Sequence, residues 1–584
     1  MATLFEVSWE VCNKVGGIYT VVRSKVPFIK EHYSEYVLIG PAFEQSPEFD
    51  ERPVPERWRN VLKTLEGRGV RCRYGTWMVP GEPTTILVDF HALFEQRNAI
   101  KAGLWERYGI DSLKSAWEFD EPMCFATAAG MVIEEYAKEH DDRIIAQCHE
   151  WISGFALLHL NAVGAKVGTV FTTHATMLGR TIAGNGHPLY DMLSNINPAE
   201  WAYRLGVQDK HLTEVACAKT AHVFTTVSEI TGLEAEKLLG RKPDVLLYNG
   251  FFIDKFPTFE ETSLRHYHSK ELLREFTAYM FFPHYVFDLE KTLFFFTSGR
   301  YEYQNKGLDM IVDALAELNR RLKEERSDVT VVMIFWVIMG RAGVRHEVLE
   351  RKNFYEHIKS AIEWQSKSLQ QKLILDFLSG HKPGEDDLFT SSFIRELHED
   401  IKHFRRPGDA PLVTHDGPGE SDPIIARCKA VGLDNQEEDR VKVIIYPGYL
   451  DGSDGVLNLQ YYDATVGAHL GIFPSLYEPW GYTPLESAVL GVPAITTDLA
   501  GFGRYIKGRN LPSENGVYVL KRMGVPYNET VRALVDELHK FTSFDHAERV
   551  QRGYSAKTLA SLCDWKNFAQ YYLTAHNMAL ERAK

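Results

Sequence analysis

FPSLYEPWGYTPLESAVLGVPAITTDLAGFG, Phe473 to Gly503, is the stretch that decides the fold. It opens on an apolar strand, Leu470 to Phe473, stopped by Pro474. Glu478 then falls in the loop at that strand's carboxyl end. The pattern places Pro484 as the first helical residue with Thr483 as its N-cap. Glu486 then lies in the first turn, and Gly491 ends the helix. Open α/β sheets bind ligands outside the carboxyl ends of their strands, and the free amides of a helix start suit a diphosphate. Glu478 and Glu486 can therefore face different hydroxyls of one elongated ligand. The helix dipole alone would favour Glu486, but it does not account for Glu478 followed by Pro-Trp-Gly-Tyr-Thr-Pro.

Outward from this stretch, strand and helix patterns alternate in two series. The nearer series has strands at FFFTSG (Phe294–Gly299), at VTVVMIFWVIM from Val329, and at Val441–Tyr446, Leu470–Phe473, Ala494–Thr497 and Gly516–Leu520, with an amphipathic helix over Gly307–Lys323. The earlier series has strands at Thr3–Val7, Tyr36–Ile39, Thr85–Val88, Arg143–Gln147, Lys166–Thr172, His222–Thr226 and Asp244–Leu247. Helices Pro122–Lys138 and Trp151–Ala162 fall between them. Alternation of this kind predicts parallel sheets covered on both faces. The expected organisation is an α/β chain of two Rossmann-like domains, 1–255 and 256–559, facing a cleft. A C-terminal helix, 560–584, crosses back onto the first. A mainly helical insertion over about 341–429 is not needed for nucleotide binding. Its apolar positions Phe354, Ile358, Ile362, Leu369, Leu373 and Phe377 fall mostly three or four apart, one stripe on a helix pair. That stripe is read either as a local core or, slightly preferred, as a subunit interface.

The totals agree. A chain of 584 residues exceeds one core, since single cores stop growing at roughly 250–300 residues. The net charge of −14, from 65 basic and 79 acidic residues, argues against broad nucleic-acid binding. An anionic ligand must then be held by a few placed cations. Seven scattered cysteines, with no CxxC pair and no zinc spacing, suit a reducing compartment, hence the cytoplasm. MATLFEVSWE shows no signal-peptide pattern. The most apolar run, Val329–Gly340, is well short of the roughly 20 residues of a membrane span.

Arg300 and Lys306 lie just past the first strand of the second domain, where a departing phosphate would sit. Such cations can do electrostatically what a divalent metal does elsewhere. Taken singly, surface Arg and Lys residues more often pair with carboxylates. Gly16 and Gly17, with Lys14 adjacent, allow backbone to approach a ligand closely, although a lone glycine pair is usually only a tight turn.

The E-x7-E arrangement of EPWGYTPLE resembles that of retaining GT-B glycosyltransferases, and YEPWGYTP resembles glycosyltransferase family 3, the animal and fungal type of glycogen synthase. SWEVCNKVGGIYTVV, HEW (His149–Trp151), TTHATMLGR (Thr172–Arg180), SGRYEYQNKG (Ser298–Gly307), RVKVI (Arg440–Ile444) and LCDWK (Leu562–Lys566) match that family in order. The match spans nearly the whole chain. The resemblance implies a GT-B fold and transfer of glucose from UDP-glucose to the non-reducing 4-hydroxyl of an α-1,4-glucan, with no metal and no cofactor. It places the Lys14–Gly17 loop on the donor's sugar–phosphate portion, His174 against the transferred glucose, and Glu150 near sugar and acceptor, with His149 a further candidate. It puts Arg180 on the diphosphate and stacks Tyr461 on the donor base. Glu486 is expected at the ribose hydroxyls and Glu478 at those of the glucose. Tyr482 and Thr483 join the donor site at the helix start, and Asn249 is a sugar or phosphate contact.

Retention by double displacement would need a carboxylate on the far face of the sugar, and the sequence places none. Front-face substitution, with the departing phosphate taking the proton, is preferred, and domain closure would exclude water. The insertion resembles the family's subunit-contact element, so a homotetramer is expected. The family's regulatory arginine cluster before DWK is reduced here to Arg549, Arg552 and Lys557, and the family's phosphorylatable extensions are not expected. Little activation by glucose-6-phosphate and no phosphorylation switch are expected. Rival readings are an ADP-glucose-dependent synthase or another GT-B transferase, more remotely a phosphorylase, and a catalytically dead glucan-binding scaffold.

Overall fold

A computed structural model describes residues 2–340, 342–384, 388–509 and 514–584. Arg341 and residues 385–387 of the expected insertion, and residues 510–513, lie outside the described residues. Among these residues fifteen strands form two sheets. The first holds β1 (Thr3–Val7), β2 (Glu35–Pro41), β3 (Phe49–Glu51), β4 (Arg71–Trp77), β5 (Thr84–Asp89), β6 (Ile144–His149), β7 (Gly168–Thr173), β8 (Val223–Thr226) and β9 (Val245–Leu246). Their order is β3-β4-β5-β2-β1-β6-β7-β8-β9. The second holds β10 (Thr292–Arg300), β11 (Thr330–Ile338), β12 (Val441–Tyr446), β13 (Leu470–Ile472), β14 (Ala494–Thr497) and β15 (Val517–Leu520), in the order β12-β11-β10-β13-β14-β15.

Parallel strands are buried on both faces, so they are written as continuous apolar runs rather than alternating ones. Along β10, Leu293 and Phe295 enter one core and Phe294 and Phe296 the opposite one. Along β1, Phe5 and Val7 face one core and Leu4 the other. Full burial of such a side chain contributes about 1.5–3 kcal/mol. Two expectations need correction. The first sheet is not parallel throughout: β3 pairs antiparallel with β4, and β4 with β5. This edge escapes a search for apolar runs because β4 (RCRYGTW) is polar and largely half-buried. The helix after Glu478 is also two residues longer at its start. It runs Tyr482–Val489 with Gly481 (φ 103°) as its cap, so Thr483 is not the cap and Glu486 sits in the second turn. Gly491, at φ 74°, does end it.

The second sheet's order reverses between β10 and β13, and the first sheet's between β1 and β6. These are the switch points at which α/β sheets open a crevice. The C-terminal helix, Trp565–Arg582, lies on the first sheet beside the helix Gly17–Ile29. It is pinned by Phe251 N–H to the Cys563 carbonyl (2.8 Å) and Trp565 N–H to the Phe251 carbonyl (3.0 Å). The apolar cluster under it includes Trp480, Leu485 and Phe502, so one core runs across both sheets' territories. In the insertion region, the helix His346–Leu378 packs against the helix Ser391–Phe404. Phe354 and Ile358 pack on the second sheet's core, whereas Ile362, Ile374, Leu375, Phe377 and Leu378 are exposed.

Candidate active site

The two switch points face each other across the interdomain cleft. On the first-domain side, β6 ends at His149 and the next residue, Glu150, adopts φ 63° before opening a helix. A non-glycine residue held there is strained, by roughly 1–3 kcal/mol, and the strain aims its carboxylate. Glu150 Oε1 accepts the amides of His174 (2.9 Å) and Ala175 (3.0 Å) in the loop after β7. Burial pushes the Glu150 carboxyl up to about 7, against the lowering pull of Arg180 and the two amides.

Behind it runs a buried polar chain. His149 Nδ1 meets His174 Nε2 at 2.9 Å, and His149 Nε2 meets Glu6 Oε1 at 2.5 Å. Glu6 also binds Lys25 and the Tyr36 hydroxyl. Desolvation holds His174 well below the usual histidine range, with His149, Lys25 and Arg180 adding to it, so its ring is neutral. Arg180 sits on the helix Met177–Gly184 with an exposed side chain. Its charge acts on Glu150, Glu214, Glu234 and, across the cleft, Tyr477.

The glycine loop is braced from within. Glu10 Oε2 accepts the amides of Gly16 (2.7 Å) and Tyr19 (2.8 Å). Those donors are thus used internally, and a Cβ on Gly16 would stand 3.1 Å from Glu10 Oε1. A Cβ on Gly17 would meet nothing within 4 Å, and Lys14 is exposed nearby. Asn249 is buried, and its Oδ1 has no hydrogen-bond partner among the described residues, which fits a group waiting for a ligand.

On the second-domain side, Lys306 Nζ and Glu478 Oε2 form an ion pair at 2.5 Å. Two residues assigned separately to phosphate and sugar are therefore adjacent. Arg300 is not drawn into this pair; it is largely exposed and pairs with Glu302 at 3.0 Å. Tyr461 shares its hydroxyl with Ser298 at the end of β10 (2.9 Å). Glu486 accepts from the Tyr462 hydroxyl (3.1 Å), and burial pushes it up to about 7 despite the lowering effect of Tyr462 and Tyr461. The Tyr482 ring packs on Phe251, and its hydroxyl reaches the Gly250 carbonyl, next to Asn249, at 3.4 Å. Its backbone, with that of half-buried Thr483, remains at the helix start. The three remaining cations before DWK are engaged elsewhere, Arg549 on the Phe544 carbonyl, Arg552 on Glu514 (3.5 Å) and Lys557 on the Val489 carbonyl (2.7 Å).

Comparison with known proteins then decides the family. A family model described as glycogen synthase matches residues 6–584. The chain belongs to the glycogen synthase family. The glycogen [starch] synthase of Neurospora crassa is 35% identical over 99% of this chain and 84% of its own length. The liver glycogen [starch] synthase of Homo sapiens is 34% identical over 99% of this chain and 84% of its own. Among solved structures, the catalytic domain of Starch Synthase IV from Arabidopsis thaliana, bound to ADP and acarbose, superposes with a TM-score of 0.53. It is 12% identical, and 99% of each chain is covered. The family member described here is thus a glycosyltransferase with the GT-B fold. Among its described residues no helix is long and apolar enough to cross a membrane.

Sequence reasoning missed Glu10, Glu214, Glu234, Tyr477 and Tyr462. Glu10 and Tyr477 sit inside stretches already singled out. Only the fold shows that Glu10 turns back on the glycine loop and that Tyr477 crosses the cleft.

Proposed function

We propose that this protein transfers glucose from UDP-glucose to the non-reducing 4-hydroxyl of an α-1,4-glucan, with retention and without a metal or cofactor. The observation that carries this is the Lys306–Glu478 pair at one switch point, facing the Glu150–His174–Arg180 group at the other. A donor lying across the first would set its diphosphate against Lys306, Arg300 and Arg180 and its glucose against Glu478. Ribose hydroxyls would meet Glu486, and the base Tyr461. Fixed positive charge stabilises the diphosphate as the anomeric bond lengthens. The acceptor hydroxyl attacks from the same face, its oxygen bonds to the anomeric carbon, and its proton passes to the departing phosphate oxygen. Glu150 Oε1 is committed to two amides, so its task is to hold the His174 loop and oppose positive charge on the sugar.

The test is nucleoside diphosphate release with glycogen present, from UDP-glucose and ADP-glucose, with and without a chelator. Faster turnover of UDP-glucose, α-linked product and indifference to chelation are expected. ADP-glucose preference would move the chain to the rival donor, chelator sensitivity would remove the cation-only account, and no release at all would leave a glucan-binding scaffold.

We further propose a cytoplasmic homotetramer. All seven cysteines are unpaired, as in a reducing compartment. Trp364 (82%), Leu375 (66%), Phe377 (65%) and Leu378 (81%) are exposed on the helix His346–Leu378, a run of apolar surface that suits a partner subunit. Light scattering at micromolar protein is expected to give four chains; a monomer would remove the interface.

A further inference from the structure

Glu478 is clamped from the opposite domain on both sides. The residue before it, Tyr477, reaches across the cleft to donate its hydroxyl to Glu234 Oε1 at 3.1 Å. The residue after it, Pro479, gives its carbonyl to Ser228 Oγ at 2.5 Å. Ser228 is the N-cap of the first-domain helix Glu229–Leu238, and Glu234 lies within that same helix. One first-domain helix therefore grips the loop that carries the second domain's sugar-side carboxylate.

The acceptor of this contact is fully built. Glu234 is 1% exposed. It takes the Thr176 amide (3.3 Å) and hydroxyl (2.5 Å), the Tyr190 hydroxyl (3.0 Å) and the Tyr477 hydroxyl. Four donors are about what one carboxylate can accept, and only Tyr477 comes from the second domain. Thr176 in turn caps the helix bearing Arg180, accepting the Gly179 amide at 3.0 Å. The approach leaves no spare room, since a Cβ on Gly179 would stand 2.4 Å from Glu234 Oε1. The Tyr477 ring lies near-parallel to that of Tyr190, at 6.2 Å and 18°.

We propose that Tyr477 and Glu234 are positioning residues for glucosyl transfer: their bond is complete only when the domains are in catalytic register, and it sets Glu478 in place against the loop and helix that carry His174 and Arg180. Opening of the cleft would take the Tyr477 donor from Glu234 and leave the other three, which all come from the first domain. The contact therefore rewards the closed state alone. Tyr190 makes an equally short bond to the same carboxylate from within the first domain, so it supplies the natural control.

The experiment compares Tyr477→Phe, Tyr190→Phe and Glu234→Gln in the full chain, each shown by thermal melting to be folded. Burial pushes the Glu234 carboxyl up to about 7, so rates are compared at about pH 8, where it is ionised. Hydrogen bonds to a charged group contribute about 1.5–3 kcal/mol, roughly ten- to a hundredfold in rate. Tyr477→Phe is expected to lower kcat by that factor, to leave KM for the donor within about threefold, and to raise the share of donor lost to water. Tyr190→Phe is expected to keep kcat within about threefold and to lower only the melting temperature. Combining Tyr477→Phe with Glu234→Gln is expected to be no slower than the slower single change, because both cut one link. The inference rests on the transfer reaction proposed above. An unmutated chain without transfer would sink that reading, whereas equal losses of kcat from Tyr477→Phe and Tyr190→Phe, or none from either, would sink this one alone. Should Tyr477→Phe fail to fold, the ratio of hydrolysis to transfer in Glu234→Gln decides: a raised ratio sustains the clamp and an unchanged one ends it.

Discussion

The two walls of the cleft are built on opposite plans. The first-domain wall is buried and crowded: Glu150 is held at φ 63°, His174 is kept neutral, and Glu150, Glu214 and Glu234 are buried carboxylates around one arginine. The second-domain wall is half-open, with an exposed Arg300 and a partly exposed Lys306–Glu478 pair. A wall that must stabilise a transition state gains by being set before the substrate arrives. A wall that must bind a diphosphate and then release it gains from cations whose carboxylate partners can be exchanged for phosphate. In the transfer proposed above, the exchangeable cations of the second domain would carry most of the leaving group's charge, and the preset first-domain wall would face the reacting sugar from the side opposite Glu478.

The comparison breaks hardest at the exchangeable cations. Replacing Arg300 and Lys306 together by alanine is expected to lower kcat by about a thousandfold or more, since one lost donor to a developing anion already costs about a hundred- to a thousandfold. The fold should hold, because Arg300 is exposed and Lys306 partly so. The measurement is diphosphate release with glycogen present. Full-speed incorporation by the double variant would overturn the division of labour between the walls.

A smaller effect sharpens the first wall. Glu150→Gln keeps an oxygen for the amides of His174 and Ala175 but removes the charge. Ionic hydrogen bonds are roughly twice as strong as neutral ones, so about a tenfold loss of kcat is expected. The wild-type carboxyl sits at about 7, so its contribution to kcat appears as pH rises through 7. The variant is expected to lose that rise. A kcat–pH profile unchanged by the substitution would show that Glu150 only holds the loop.

How far the sequence carries this picture depends on the wall. The open wall was legible because its residues are spaced along one local motif: Glu478 and Glu486 follow β13, and Arg300 and Lys306 follow β10. Strand positions were legible where both faces are buried, as in FFFTS and VVMIFWV. The antiparallel β3–β4 edge was not, since an edge strand needs no apolar run. The closed wall was named largely by resemblance, and its supporting carboxylates were not named at all. Glu10, Glu214 and Glu234 act through partners 6 to 243 residues distant in the chain, and no local pattern encodes such pairings. The start of the Tyr482–Val489 helix was misplaced because glycine at φ 103° supplied the turn that Thr483 was expected to cap.

The mildest expected change tests whether the open wall is as unstrained as it looks. Glu486 is half-buried in that wall, and desolvation pushes it up from an ordinary glutamate value to about 7. Its raised value means the folded state keeps a proton that the unfolded chain has released between about pH 4.5 and 7. Folding stability is therefore drained as pH rises through that window, by at most about 1.4 kcal/mol per pH unit for a single group. Glu486→Gln removes the drain, so its stability relative to wild type is expected to grow from pH 5 to pH 7.5 in denaturant titrations. The same change should raise the donor KM several-fold at pH 7.5, where the carboxylate is ionised and able to accept ribose hydroxyls, and much less at pH 6. A donor KM that rises equally at both values would mean that the uncharged acid binds the ribose as well as the carboxylate does. The open wall would then hold its ligand without using charge at this position, and the contrast between the walls would rest on Lys306 and Arg300 alone.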